Sequence, residues 1–362
     1  MADRVWFPEP EEVDNTRSSR GESIPQYLQR STHLRAAQVR NFLNRNIACL
    51  PEDARSSICH DLNKKEFDSV LFELVVARAL QLLGGSLRFE QQNAEGRHPD
   101  FTAQFRELTV VVEATVPKFD QDMALQEKKH GSLLSIIESR VPKGWGVLLE
   151  SLPDFEFSEP KASLKQALDK ISNQPPPRNA EEQKHFCLCL PQGPLKFTLV
   201  PRRCSSRAIG GGPVYVGWSD AKQRIRHTLD KKRSQVRAQN QPVLLAILAS
   251  GITAGFDDFD DVLFGHPVTE LNLDLQARTT HFEASGAFAK GTGSSTYSGV
   301  LAFTNLSPFG CYGPVLYMHP RSVGPLPEEF DVLEIRNLSA DGIEILPTTE
   351  PHLLEDLGWA RL

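Results

Sequence analysis

None of the six cysteines (Cys49, Cys59, Cys187, Cys189, Cys204 and Cys311) forms a CxxC pair, so neither a structural zinc site nor a disulfide framework is expected. Cys187 and Cys189 alternate in HFCLCL and read as small core hydrophobes. No apolar run reaches the roughly 18–20 residues that cross a bilayer, so no membrane association is expected. The opening residues MADRVWFPEPEEVDN are acidic and lack an apolar stretch, which argues against a secretory signal and makes a cytoplasmic location the expectation. The ten histidines show no HExxH spacing. Ile209-Gly210-Gly211-Gly212-Pro213 lacks the GxxxxGK[ST] pattern of a phosphate-cradling loop. Gly291–Gly299 reads as a flexible loop, and the acidic run Phe256–Asp261 lacks EF-hand spacing and reads as a solvated loop. No internal repeat is visible.

What is present is an ordinary globular composition: 362 residues, 40% hydrophobic and 24% charged, enough for a sizeable core. The net charge of −6 excludes a uniformly basic nucleic-acid binder. Positive charge is local instead. Residues 221–237 carry Lys222, Arg224, Arg226, Lys231, Lys232, Arg233 and Arg237 against the single acid Asp230. Such a stretch is either a solvated helix face or a phosphate-contacting surface.

The chain begins with a polar segment and a helical region, YLQRSTHLRAAQVRNFLNRNIACL, which Pro51 interrupts. A helix follows from about Glu66 to Leu83, stopped by Gly84-Gly85. Then come three strand-like segments, SLRFEQ, DFTAQF and LTVVVEATV, the last β-branched and buried in character. A helix near 121–139, a strand GWGVLLESL, a helical ASLKQALDKISNQ and paired strands HFCLCL and LKFTLVPR are expected next. The basic helix, about 219–240, leads through Pro242 into VLLAILAS, another buried strand, and 266–362 reads as β-rich with long loops.

Two acids stand out. Arg106-Glu107 makes a plausible two-residue turn between DFTAQF and LTVVVEATV. It pairs Phe105 with Leu108 and Gln104 with Thr109, and the same register continued outward sets Asp100 opposite Glu113. Side chains directly opposite on antiparallel strands lie about 4.5–5.5 Å apart. Two carboxylates at that distance repel unless a cation or proton intervenes, and a hard divalent cation fits oxygen ligands. Glu113 shares a strand face with Val111 and Thr115 and is costly there without a partner; the plainer reading is a strand-end acid in a surface ion pair. Glu73 lies mid-helix among Val70, Val76 and Ala77, either simply solvated or the third carboxylate of the cluster.

The helix with Glu73, then His98-Pro99-Asp100-Phe101, then Val112-Glu113-Ala114-Thr115 resembles the PD-(D/E)XK nuclease superfamily, over about 62–118 plus 219–249. Within it the pattern is similar to a bacterial branch with PDF…VEAT. The resemblance implies a restriction-endonuclease-like core of helix, three antiparallel strands, helix and a parallel strand. With the helical pattern of 1–61 and the β-rich character of 266–362, the expected fold is α/β, a central mixed sheet flanked by helices with an N-terminal helical segment (1–61) and a β-rich C-terminal extension (266–362). The core would span 62–265 with an insertion at about 120–217. It implies Mg²⁺- or Mn²⁺-dependent endonucleolytic hydrolysis of nucleic acid, probed first as DNA, with host defence as an analogy. Asp100, Glu113, the Ala114 carbonyl and Glu73 would hold the metal, and His98 would flank it.

One position departs. The lysine that the family carries two residues after the second acid is Thr115 here, whose hydroxyl cannot offset charge on a phosphate. Lys232 is the candidate replacement, because Ile225, Leu229, Lys232 and Val236 form one helical stripe. Lys118 is nearer in sequence but has the wrong strand parity and follows Pro117. Arg224, Lys231, Lys232, Arg233 and Gln235 are the candidate nucleic-acid contacts. Two other readings stay open: a non-catalytic nucleic-acid-binding protein with a degenerate site, and a protein-interaction scaffold, with homo-oligomerisation open in each.

Overall fold

The structure is a computed structural model. It describes residues 5–16, 22–64, 67–89, 99–117, 136–137, 140–142, 144–151, 168–169, 171–179, 181–190, 193–201, 209–210, 221–236, 241–249, 254–272, 277–283, 285–288, 297–307, 310–322, 324–339 and 342–349. In chain order these form α1 (Ile24–Arg30), α2 (Leu34–Ala48), α3 (Glu52–Lys64), α4 (Phe67–Leu82), β1 (Ser86–Phe89), β2 (Phe101–Phe105), β3 (Leu108–Thr115) and β4 (Trp145–Ser151). There follow β5 (Lys184–Leu190), β6 (Gly193–Pro201), β7 (Ile209–Gly210), α5 (Ala221–Val236), β8 (Val243–Ala249) and α6 (Phe256–Leu263). The last are β9 (Pro267–Asn272), β10 (Ala277–Phe282), β11 (Gly299–Ser307), β12 (Gly310–Met318), β13 (Glu334–Ser339) and β14 (Gly342–Leu346). Two compact units result, one of residues 1–13, 28–118 and 219–362, the other of 14–27 and 119–218. Among the described residues no helix is long and apolar enough to cross a membrane.

The first unit is mixed α/β, built on an eight-stranded sheet of order β1-β2-β3-β8-β11-β12-β13-β14. β1, β2 and β3 pair antiparallel, β8 pairs parallel with both β3 and β11, and β12 pairs parallel with β13. Every residue of β8 is buried, which explains its unbroken apolar run: a central parallel strand is covered on both faces. Alternation assigns the covers. Val111, Val243, Leu245, Ile247, Val300 and Ala302 form one cluster with Ile225 and Leu229 of α5 and Phe259, Val262 and Leu263 of α6. Phe303 takes the other parity and meets Phe72 of α4 edge-on, ring centres 5.2 Å apart. So α4 lies on one face, α5 and α6 on the other.

The expected C-terminal extension is corrected here. β11 to β14 supply four of the eight main strands, with β11 hydrogen-bonded directly to β8. The acidic run 256–261 is also not a solvated loop but helix α6. Phe259, Val262 and Leu263 are buried at helical spacing, and the Asp258 carboxylate accepts from the Gly255 N–H at 3.1 Å. The N-terminal helical region breaks at Ser31–His33, where the buried Arg40 donates to the carbonyls of Leu28 (2.8 Å) and Ser31 (2.7 Å). A guanidinium there satisfies carbonyls that the end of α1 leaves open.

The second unit holds a four-stranded sheet, β5-β6-β4-β7, over a core of Trp145, Val147, Leu149, Leu195, Phe197 and Leu199. Cys187 and Cys189 are exposed while Phe186 and Leu188 face this core, so the cysteines take the outer parity of β5 rather than the inner one expected. The helices expected near 121–139 and in ASLKQALDKISNQ fall largely outside the described residues.

Gly84 and Gly85 end α4 as expected. Gly84 adopts φ +91°, and the Gly85 N–H donates to the Leu80 carbonyl at 2.9 Å. A Cβ on Gly85 would meet the Phe105 ring at 2.7 Å and the Leu80 carbonyl oxygen at 2.9 Å. Gly85→Ala is expected to destabilise the protein by about 1–3 kcal/mol through overpacking at the β2–β3 hairpin. A urea midpoint that falls with an unchanged m-value is the check; an unmoved midpoint contradicts the contact.

Candidate functional site

The site begins with the hairpin. Its turn is Arg106-Glu107, with Arg106 at φ 42°, and its register runs from Phe105↔Leu108 to Phe101↔Val112. One further step would set Asp100 opposite Glu113, the pairing expected from the sequence register. The regular ladder stops short of that pair, and a side chain continues it: Asp100 Oδ2 accepts from the Ala114 N–H at 2.8 Å. A strand residue directs its N–H and C=O toward the same neighbour. The Ala114 carbonyl is therefore on the Asp100 side, beyond the last β2 pair.

Glu113 is 7% exposed, inside the apolar run of β3. It pairs with Leu245 of β8 and takes the parity of Val111, so it faces the layer of α5. Ile225 and Leu229 anchor α5 there at 1% and 3% exposure. Lys232, next on that stripe, reaches Glu113 with Nζ 2.7 Å from Oε2. The two partners lie 119 residues apart in the chain. Thr115 is half-buried on the Glu113 face of β3.

The other predicted residues are placed differently. Glu73 is half-buried on α4, the helix covering the opposite face. Among the described residues no three histidine, cysteine or acidic side chains are placed to hold a metal ion, so the expected three-carboxylate shell is not assembled. Helical periodicity showed that Glu73 has apolar flanks; it carried no information on which sheet face α4 covers. Lys231 and Arg233 are exposed, and Arg224 is half-buried. Lys222 is ion-paired with Asp261 of α6, and Arg226 donates to the Ser285 carbonyl at 2.9 Å, so both are engaged within the fold. His98, Lys118 and the side chain of Gln235 lie outside the described residues.

Tyr297 was not anticipated. It follows a glycine- and serine-rich stretch, yet it is 3% exposed and its hydroxyl donates to the Leu229 carbonyl at 2.6 Å. Burial pushes that hydroxyl well above its ordinary range, with the charges of Asp230 and Glu113 adding to the shift and Arg233 opposing it. The only trace in the sequence is an aromatic residue in a stretch otherwise suited to a loop.

The donor set is two carboxylates and one backbone carbonyl, all hard oxygens. Mg²⁺ is commonly held by one or two carboxylates with waters and substrate phosphate oxygens completing the shell. Asp100, Glu113 and the Ala114 carbonyl fit that pattern, with the difference that Lys232 already engages Glu113 Oε2.

The pair has a measurable signature. Side-chain exposure is 18% for Lys232 and 10% for Glu113, so removing the lysine strands a buried carboxylate. In a double-mutant cycle, Lys232→Met and Glu113→Gln are expected to couple by about 1–3 kcal/mol, while Lys231→Ala stays within about 0.5 kcal/mol of wild type. Chemical denaturation measures both, and a coupling near zero contradicts the ion pair. Comparisons with protein-family models, curated proteins and solved structures find no match to the chain.

Proposed function

We propose that this chain is a metal-dependent nuclease that hydrolyses phosphodiester bonds of nucleic acid, with DNA the first substrate to test. One observation carries the reading: Lys232 Nζ lies 2.7 Å from Glu113 Oε2, at the ladder end where Asp100 bonds to Ala114. Lys232 of α5 thus reaches Glu113 of β3 on one sheet face, and Asp100 holds the backbone N–H of the next residue, Ala114. The order α4-β1-β2-β3, then α5-β8 with β8 parallel to β3, supports a restriction-endonuclease-like core.

In this reading Asp100, Glu113 and the Ala114 carbonyl are the groups that would hold Mg²⁺ or Mn²⁺. The chemistry such an ion supplies is polarisation of a phosphoryl oxygen and activation of a water. Lys232 replaces the lysine that Thr115 lacks: its ammonium positions the attacking water and offsets charge developing on the phosphate. Its long stem lets it do so from α5 while its base packs beside Leu229. Glu73 has no assigned part.

The same ion pair favours a second reading, a nucleic-acid-binding protein without catalysis. Lys232 already compensates the buried Glu113 charge, so the arrangement is self-sufficient without a metal. Cleavage assays on DNA and RNA with Mg²⁺, Mn²⁺ or EDTA separate the two. Metal-dependent cleavage is expected, reduced about 10²-fold or more by Asp100→Asn, Glu113→Gln or Lys232→Ala, and little changed by Lys231→Ala. Calorimetry should show weakened Mn²⁺ binding in Asp100→Ala and Glu113→Ala, since one carboxylate alone is a poor site. Nucleic-acid binding without cleavage under every condition establishes the second reading.

A further inference from the structure

A second group of donors gathers on the β11–β12 side of α5. The Tyr297 hydroxyl bonds to the Leu229 carbonyl at 2.6 Å. In a helix that carbonyl is the acceptor for the N–H four residues on, which is Arg233. Tyr297 therefore touches the turn of α5 that bears Arg233. The Ser298 N–H donates to the Val243 carbonyl at 2.7 Å, and the His319 N–H donates to the Ser298 carbonyl at 3.1 Å. These bonds bring the residue after β12 to the same corner. His319 packs its ring 4.5 Å, centre to centre, from Phe288, and its Nδ1 accepts from the Arg321 N–H at 3.0 Å.

That last bond sets the tautomer. With Nδ1 accepting, the neutral imidazole carries its proton on Nε2 and presents a donor. Arg233 and Arg321 are exposed, and among the described residues neither guanidinium is in an ion pair. Burial first, then the charges of Arg233 and Arg321, hold His319 down to about 4. The two arginine charges both act on the half-buried ring, disfavour positive charge there and favour an anion beside it. The fork geometry of arginine matches phosphate oxygens, and a neutral imidazole N–H adds a third donor.

We propose that Arg233, His319 and Arg321 form a phosphate-binding corner that takes a backbone phosphodiester of nucleic acid. Its nucleic-acid identity rests on the reading above; its preference for a phosphate rests on the donors alone. Lys232 and Arg233 are successive residues, about 100° apart around the helix. One turn of α5 thus serves Glu113 on its β3 side and the phosphate corner on its β11–β12 side, so that one strand would be gripped at two points.

NMR titration of His319 in the full-length protein tests this, in EDTA so that nothing is cleaved. The resonance is assigned by its disappearance in His319→Gln. The probes are a short DNA oligonucleotide, the matching RNA oligonucleotide and inorganic phosphate. A bound phosphate cancels the two arginine charges, so the oligonucleotide should raise the His319 midpoint from about 4 toward its ordinary 6.5. Arg321→Ala, an exposed change that leaves the core intact, should weaken oligonucleotide binding about 5–10-fold. It should also lower the salt slope by about one phosphate contact. A midpoint unmoved by saturating oligonucleotide, or an Arg321→Ala affinity and salt slope equal to wild type, overturns the proposal. Movement with inorganic phosphate but not with either oligonucleotide overturns the backbone assignment. The nuclease reading fails separately: if nothing is cleaved and His319 still responds, the corner stands without it. Cleavage with an unresponsive His319 overturns the corner and leaves the nuclease reading standing.

Discussion

A carboxylate cannot be left alone in the middle of a buried strand, and most of the first unit is arranged around that constraint. Glu113 interrupts an apolar run that would otherwise be uniform from Val110 to Ala114. Its compensating charge is supplied 119 residues later by Lys232, after the chain has formed the whole second unit. The lysine can reach only if α5 covers the Val111 face and β8 lies parallel to β3 in the observed register, with Glu113 beside Leu245. A slip of β3 by one residue would turn Glu113 to the α4 face, where Phe72 and Phe303 meet. The pair therefore reports on register, sheet order and helix placement together.

What could be read in the sequence was what local periodicity encodes. The Arg106-Glu107 turn fixed the hairpin register, and alternation then set Asp100 opposite Glu113 before any three-dimensional information entered. The stripe Ile225, Leu229, Lys232 singled out one of seven basic residues, and that is the one found against Glu113. The failures share a cause. Strand order is nonlocal, so nothing in 266–362 announced that β11 would pair with β8. Which sheet face a helix covers is likewise invisible along the chain, which is why Glu73 passed as a neighbour of the acids. In β5 two residue types of similar hydrophobicity alternate, HFCLCL, and the pattern alone did not decide that Phe186 and Leu188 face the core while the cysteines face out.

The basic helix shows why net charge is a poor guide. Its first half is engaged inside the fold: Lys222 on Asp261, Arg226 on the Ser285 carbonyl. α6 is itself held on its other side, where Arg336 bridges Asp260 (2.7 Å) and Glu334 (2.9 Å) and stacks over Phe256. Burial raises the Asp260 carboxyl, opposed by that guanidinium. Asp261 of the acidic helix thus neutralises Lys222 at the front of the basic one, while at its far end Lys231 and Arg233 are exposed on either side of the paired Lys232. A chain with an overall charge of −6 still presents a locally cationic turn beside two carboxylates.

Stability alone is a weak reason for such a turn. Replacing a buried ion pair by apolar residues of similar volume is often neutral or stabilising, by about 1–4 kcal/mol, so a leucine and a methionine could join β3 to α5 equally well. Register could also be pinned without charge, by the shapes of Phe72 and Phe303 across the other face. Asp100 weakens a purely structural account further. It lies past the end of the ladder and spends a half-buried carboxylate on the backbone N–H of Ala114, the residue after Glu113. Ladder ends are capped at lower electrostatic cost by serine or threonine. A buried acid–lysine pair beside a carboxylate-capped ladder end is a costly way to hold strands together, and that cost is what the proposed metal and phosphate chemistry would account for.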